Sequence, residues 1–106
     1  EPSWFAFVIS VREDAGFSRQ DVVEHLEKSG VQTRMLFAGN LIRHPCFDEM
    51  RRTRSGYRVA GTLENTDAVM NRSFWVGVYP GITPRMRAYI VKTLACFPGI
   101  GQSSSK

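Results

Sequence analysis

With two cysteines in 106 residues, no apolar run long enough to cross a bilayer and no catalytic signature of a common type, this chain is defined first by what it lacks. Cys46 and Cys96 lie far apart and cannot build the disulfide framework of a small secreted domain. They cannot supply the four thiolates of an iron–sulfur site, and they lack the spacing of a zinc site. They read as free, buried thiols of a reducing compartment. No stretch approaches the ~18 apolar residues of a membrane helix. No basic segment followed by an apolar run opens the chain, so a secretory signal is not expected. Glu1-Pro2 leads straight into a strand without an initiator Met, as in a fragment or processed product. There is no phosphate-binding glycine loop, no nucleophile elbow and no pair of carboxylates in an acid–base setting. The residues alone describe a module that supports or completes a site.

What is present suits a packed domain. Hydrophobic residues make up 42% and aromatics 11%, enough for a core and against disorder. The net charge of +4 is scattered rather than gathered. Arg51, Arg52 and Arg54 form the one dense cluster, readable as a solvated face or as a phosphate contact. Aromatics are not interleaved with basic residues on one surface, so a nucleic-acid partner is not expected.

Along the chain, Trp4 to Val11 reads as a strand that is apolar on both faces and hence central and partly covered on its second side. Ser18 and Asp21 form a capping box, Phe17 can staple onto Val22, and Val22, Val23 and Leu26 make the buried stripe. Glu24 and Lys28 form an exposed pair, and Gly30 ends the helix in a left-handed conformation. His25 is expected at the boundary near Asp21. Val31 to Leu36 is a second strand, and one helical turn follows Pro45-Cys46-Phe47. Thr53 to Thr62 is a polar connection with Tyr57 and Val59 as its anchors, longer than compact domains usually allow unless it is functional. Asn65 or Thr66 can cap a short helix over 67–72. Phe74 to Tyr79 is a buried strand, and Thr83-Pro84 opens a last helix with Met86, Ile90, Leu94 and Phe97 on one stripe. Residues 99–106 read as a disordered tail. The expected fold is α+β: a small, mainly antiparallel sheet with helices on one face.

Polar groups concentrate in the loop after the second strand: Arg34, Asn40, Arg43 and His44 could grip an anionic or hydroxyl-rich ligand. Arg34 and Arg58 offer fork-shaped cations to phosphate or sugar oxygens. Asn40 offers a donor and an acceptor to a ligand, or stabilises the Gly39-Asn40 turn. Phe37 could wall a site against water. His44, extended before Pro45, reads as structural.

The stretches TRMLFAGN (33–40), RHPCF (43–47), YRVAG (57–61) and NTDAVMNRSFWVGVYPG (65–81) resemble the DegT/DnrJ/EryC1/StrS family of pyridoxal-phosphate sugar aminotransferases and dehydratases. Within it they are most similar to the branch that removes the C3 hydroxyl of CDP-4-keto-6-deoxyglucose in lipopolysaccharide and deoxysugar biosynthesis. The resemblance covers Pro2 to about Phe97 and implies that residues 1–98 form the small C-terminal domain of a larger enzyme. It implies a missing N-terminal large domain that holds most of the pyridoxal or pyridoxamine 5'-phosphate and supplies the catalytic lysine or histidine. It further implies a nucleotide-sugar substrate, a homodimer, a cytoplasmic location and, in members that carry an iron–sulfur cluster, an iron–sulfur flavoprotein reductase as partner. The cluster ligands would lie outside this chain. The substrate-side residues carried over are Arg34, Phe37, Asn40 and Arg58, with no catalytic residue and no metal ligand here. Two other readings stand beside it: the small domain of a nucleotide-sugar aminotransferase of the same family, and a free-standing ferredoxin-like ligand- or RNA-binding module.

Overall fold

The computed structural model describes residues 1–100. Its elements are β1 (Ala6–Ser10), α1 (Arg19–Lys28), β2 (Thr33–Met35), α2 (Asp48–Thr53), α3 (Glu64–Arg72), β3 (Ser73–Gly77) and α4 (Pro84–Ala95), with two 3-10 turns at Leu41–Arg43 and Pro45–Phe47. The three strands form one antiparallel sheet in the order β1-β3-β2. This is the expected α+β arrangement, with its most buried strand, β3, at the centre.

Register decides which side chains meet. Ile9 and Met35 flank Phe74, and Phe7 and Thr33 flank Val76. Partners across a strand pair share a face, and this face packs against the helices. Val22, Val23 and Leu26 of α1 and Phe97 beyond α4 close over Phe74 and Val76, with Ile9, Phe17, Ile90 and Leu94 at the margin. Phe74 and Leu26 are wholly buried. Burying a side chain of that size contributes about 1.5–3 kcal/mol. The opposite face carries the row Val8–Trp75–Arg34.

Helix α1 forms as its signals demand. The Asp21 amide donates to Ser18 Oγ at 3.2 Å and the Ser18 amide donates to Asp21 Oδ2 at 2.8 Å. The Ser18 hydroxyl, which also donates to Asp21 Oδ2 at 2.7 Å, and then the Ser18 amide hold the Asp21 carboxyl below its ordinary range. At the other end Gly30 adopts φ 76°, and the Val31 and Gly30 amides donate to the Leu26 and Glu27 carbonyls. That is a complete Schellman ending. In α4, Thr83 Oγ1 accepts from the Met86 amide at 3.2 Å, and Pro84 takes the first helical position.

Several expectations are corrected. β1 is an edge strand, not a central one: Val8 is 52% exposed and Phe5 and Phe7 more so. Both cysteines are exposed. His25 is half-buried at the boundary, as expected; its Nε2 lies 2.9 Å from the Thr93 carbonyl and its ring meets Phe97 edge-on, which ties α1 to α4. Helix α3 starts at Glu64 with no side-chain cap from Asn65 or Thr66. Met86 falls outside the buried stripe of α4, and Tyr57 and Val59 are too exposed to anchor the 53–62 connection. Of the expected tail, residues 101–106 lie outside the described residues, and the Ile100 amide donates a hydrogen bond to the Phe97 carbonyl at 3.1 Å. No helix among the described residues is long and apolar enough to cross a membrane.

The radius of gyration is 17.3 Å, against about 13 Å for a compact domain of this length. The excess comes from the segment between β2 and α3. Its two 3-10 turns and α2 contain no buried residue. They fold mainly on one another, around a small apolar hollow of about 200 Å³ shared by Leu41, Ile42, Phe47, Met50 and Tyr57. It projects from the sheet as an arm.

Candidate functional site

Two features could serve a ligand: the arm, and a cleft beside the sheet. The arm is launched from β2 by a strained turn. The Phe37 amide donates back to the Met35 carbonyl at 2.8 Å, and Phe37 itself sits at φ 47°. A left-handed, non-glycine aromatic is rare and costs energy that its surroundings must supply. Its ring gains nothing from burial here, being 78% exposed.

Behind Phe37 the chain is bolted to α3. Asn40 is only 3% exposed, and its Nδ2 donates to Asp67 Oδ1 at 2.7 Å. Arg43 adds a bond to Asp67 Oδ2 at 2.8 Å. The Asn40 amide rests on the Met70 sulfur at 3.3 Å, and Gly39 at φ 61° passes so close to Met70 that a Cβ there would lie 2.6 Å from its Cγ. Arg19 closes the far end of α3, donating to the Met70 carbonyl at 2.5 Å. Asp67 is thus the hub of the arm. Sequence reading passed over it, seeing only a helix-start carboxylate; the usable signal was an acid facing a loop that is rich in Asn and Arg.

Asn40 therefore presents no free amide to solvent, and its observed partner is Asp67. His44 is held too, with Nε2 2.5 Å from the Ala38 carbonyl. Arg51 clamps the Ile42 and His44 carbonyls and pairs with Asp48, while Arg52 pairs with Glu49. Most of the dense basic cluster is thus scaffolding. Arg58 is exposed on the arm, with no partner among the described residues. Arg34 lies across the sheet from Trp75 and bonds only the neighbouring Thr33 carbonyl, at 2.8 Å. Arg34, Phe37 and Arg58 remain free to meet a ligand, but the structure does not gather them into one pocket.

The bonds of Asp67 hold its carboxyl below the ordinary aspartate range, first through Arg43 and then through Asn40. Because the folded value is depressed, the anchoring is present above the unfolded aspartate value, near 3.9, and is lost as pH falls through the folded one. Acidification is therefore expected to speed amide exchange at Asn40 and Arg43 before the sheet opens. Asp67→Asn should show fast exchange at neutral pH and a flatter pH profile; an unchanged profile would remove Asp67 as the hub.

The cleft lies where β2, the end of β3 and α4 meet, and it encloses about 530 Å³. It contains Arg34, Trp75, Tyr79, Arg85 and Tyr89, and sequence reading assigned it nothing beyond Arg34. Glu27 sets the start of β2 by accepting from the Thr33 amide and hydroxyl at 2.6 and 2.7 Å. These bonds lower the Glu27 pKa and fix the position from which Arg34 projects.

Comparison with known proteins adds lineage to this geometry. The sequence profile of the DegT/DnrJ/EryC1/StrS aminotransferase family matches residues 1–95. The chain is 50% identical over 97 residues, 92% of its length, to the dTDP-4-dehydro-2,6-dideoxy-D-glucose 3-dehydratase of Saccharopolyspora spinosa. It is 44% identical over 100 residues, 94% of its length, to the lipopolysaccharide biosynthesis protein RfbH of Salmonella typhimurium. It spans only 20% and 22% of those two proteins. Among solved structures it superposes with a TM-score of 0.66 at 19% identity on an E. coli GDP-4-keto-6-deoxy-D-mannose-3-dehydratase with bound hydrated PLP, covering 84% of this chain and 22% of that one. That likeness concerns the fold.

Proposed function

This chain belongs to the DegT/DnrJ/EryC1/StrS aminotransferase family, and on that premise we propose that residues 1–98 form the small C-terminal domain of a pyridoxamine-phosphate-dependent nucleotide-sugar 3-dehydratase. The observation that carries the reading is 50% identity across nearly the whole chain to a sugar-nucleotide 3-dehydratase of which it covers one fifth. The missing four-fifths would be the large domain, and the exposed aromatics Trp4, Phe5, Phe7 and Phe37 mark surfaces such a domain would cover.

The residues present fit a substrate-side role and not a cofactor-holding one. His25 and His44 are both committed to backbone carbonyls, and Lys28 pairs with Glu24 at 3.3 Å. None is placed to act as the base at a cofactor. Bound mainly by the large domain, the cofactor would serve as an electron sink while the C3 hydroxyl of a 4-keto sugar leaves. Arg34 and Arg58 would hold phosphate or sugar oxygens, Phe37 would exclude water, and Asn40 would keep the arm in register through Asp67. The sugar would be a CDP- or dTDP-linked 4-keto-6-deoxyhexose of deoxysugar or lipopolysaccharide synthesis. The intact enzyme would be a cytoplasmic homodimer, drawing electrons through an iron–sulfur centre outside this chain from an iron–sulfur flavoprotein reductase. The small domain of an aminotransferase is the weaker reading because relatives at 50% and 44% identity are a 3-dehydratase and RfbH. A free-standing RNA-binding module is disfavoured by the family match over residues 1–95.

The test is turnover of a 4-keto-6-deoxyhexose nucleotide by the longer polypeptide that carries this chain, supplied with pyridoxamine phosphate. Loss of the C3 oxygen is expected; an amino sugar as sole product would replace the reading. Arg34→Ala and Arg58→Ala should each lower kcat/KM at least about tenfold, equivalent to about 1.4 kcal/mol. Unchanged kinetics in both would take them out of the site.

A further inference from the structure

We propose that the cleft between β2, the end of β3 and α4 is a nucleoside-diphosphate site, with Arg34 and Arg85 on the diphosphate and Trp75, Tyr79 and Tyr89 around the base. It rests on the nucleotide-sugar reading above and assigns a place to the part of the substrate that does not react.

Charge makes the first argument. The cleft is lined by two arginines and no carboxylate. Elsewhere Arg12, Arg43, Arg51, Arg52 and Arg72 all have acidic partners. Arg85 has no partner among the described residues, and Arg34 hydrogen-bonds only a backbone carbonyl, with the Glu27 carboxylate near enough to attract it but not bonded to it. Arg85 also stands against its own helix. It lies in the first turn of α4, where the dipole favours anions and where this helix has no acidic residue. A cation kept at the positive end of a helix, unpaired and lining one cleft with a second cation, is suited to an incoming anion that carries more than one charge.

Shape makes the second. Trp75 and Tyr89 are held before any ligand arrives: the indole Nε1 donates to the Met35 carbonyl at 3.1 Å, and the Tyr89 hydroxyl donates to the Ser29 carbonyl at 2.8 Å. The Tyr79 ring folds over Gly81, where a Cβ would lie 2.4 Å from it. Rings fixed in this way offer flat, amphipathic walls with little entropy left to lose. Gly77 ends the central strand at the cleft, and a Cβ there would meet nothing within 4 Å, so the absent side chain leaves open space. The volume, about 530 Å³, is in the range of small-molecule sites. β2 leads from this cleft to Phe37, so a diphosphate at Arg34 would send its sugar toward the arm.

The experiment uses the 106-residue chain in a Trp4→Phe background, which leaves Trp75 as the only indole. CDP, dTDP and GDP are titrated while Trp75 emission and its indole N–H resonance are followed. Quenching and a shift with Kd of about 1 mM or tighter are expected for at least one of them, and inorganic pyrophosphate should bind more weakly without quenching. Arg34→Ala and Arg85→Glu should each weaken binding at least about tenfold, and Gly77→Leu should abolish it. Arg85→Glu should also hold or raise the melting temperature, since it corrects the helix end; a merely structural arginine would lower it. Arg87→Glu, one position outside the cleft, should bind nearly as the parent does. No response of Trp75 to any nucleotide, equal affinity for pyrophosphate, or equal loss in Arg87→Glu would each overturn the proposal. Nucleotide binding by the chain without C3 dehydration by the longer enzyme would keep the cleft and reject the enzymatic reading; the reverse outcome would do the opposite.

Discussion

Phe74→Ala is expected to remove about 3–5 kcal/mol of stability, the largest effect of any single substitution in this chain. Phe74 is wholly buried in the central strand, flanked in register by Ile9 and Met35 and covered by helical side chains. Truncation removes the ring and leaves a cavity that three strands and two helices cannot collapse to fill. A domain of this size has roughly 5–15 kcal/mol in total, so the variant would lose a large share of its stability. Urea unfolding followed by far-UV circular dichroism measures it directly. A loss under about 1 kcal/mol would mean that the sheet is not packed as described.

Gly39→Ala should be the second most damaging change, costing about 2–4 kcal/mol, although it adds a single methyl group. Two penalties combine there. The position is left-handed at φ 61°, and the new Cβ would lie 2.6 Å from Met70 Cγ and 2.9 Å from Met70 Cβ. Met70 can swing its thioether aside but not its Cβ, so the seam between arm and α3 must open. Gly16→Ala is the matched control. It shares the left-handed backbone, at φ 73°, but meets open space, so it should show only the conformational part, about 1–2 kcal/mol. Equal losses in the two variants would show that the contact with Met70 carries nothing. Amide exchange at Asn40 should rise in Gly39→Ala and stay slow in Gly16→Ala.

Local rules explain what sequence reading recovered. The capping box at Ser18 and Asp21, the glycine ending at Gly30 and the Thr83-Pro84 start each act within five or six residues, and each formed as written. The strands were recognised as strands, though their ordered ends are shorter at Ala6–Ser10, Thr33–Met35 and Ser73–Gly77. The candidate site was less legible. Arg34, Phe37 and Arg58 could be picked out as residues without an evident structural duty, and they remain exposed. Asn40 could be named but not assigned, because its partner Asp67 lies in another element, and the partner decides whether an amide is free. Cys46 and Cys96 were assigned to the interior from residue type alone, and type does not fix burial at an edge.

The amino-acid order by itself determined the main elements, the caps of α1 and α4 and the family to which the chain belongs, since each of these is written in neighbouring residues or in matching words. Only the tertiary structure decided that β1 is an edge, that Asp67 is the hub of the arm, and that Arg34 and Arg85 face one aromatic cleft. The apolar pattern of β1 is the same whether the strand is central or awaits cover from another domain. Arg34 and Arg85 belong to separate elements, and nothing local encodes their meeting. It follows from register across β3 and from the angle at which α4 returns over the sheet.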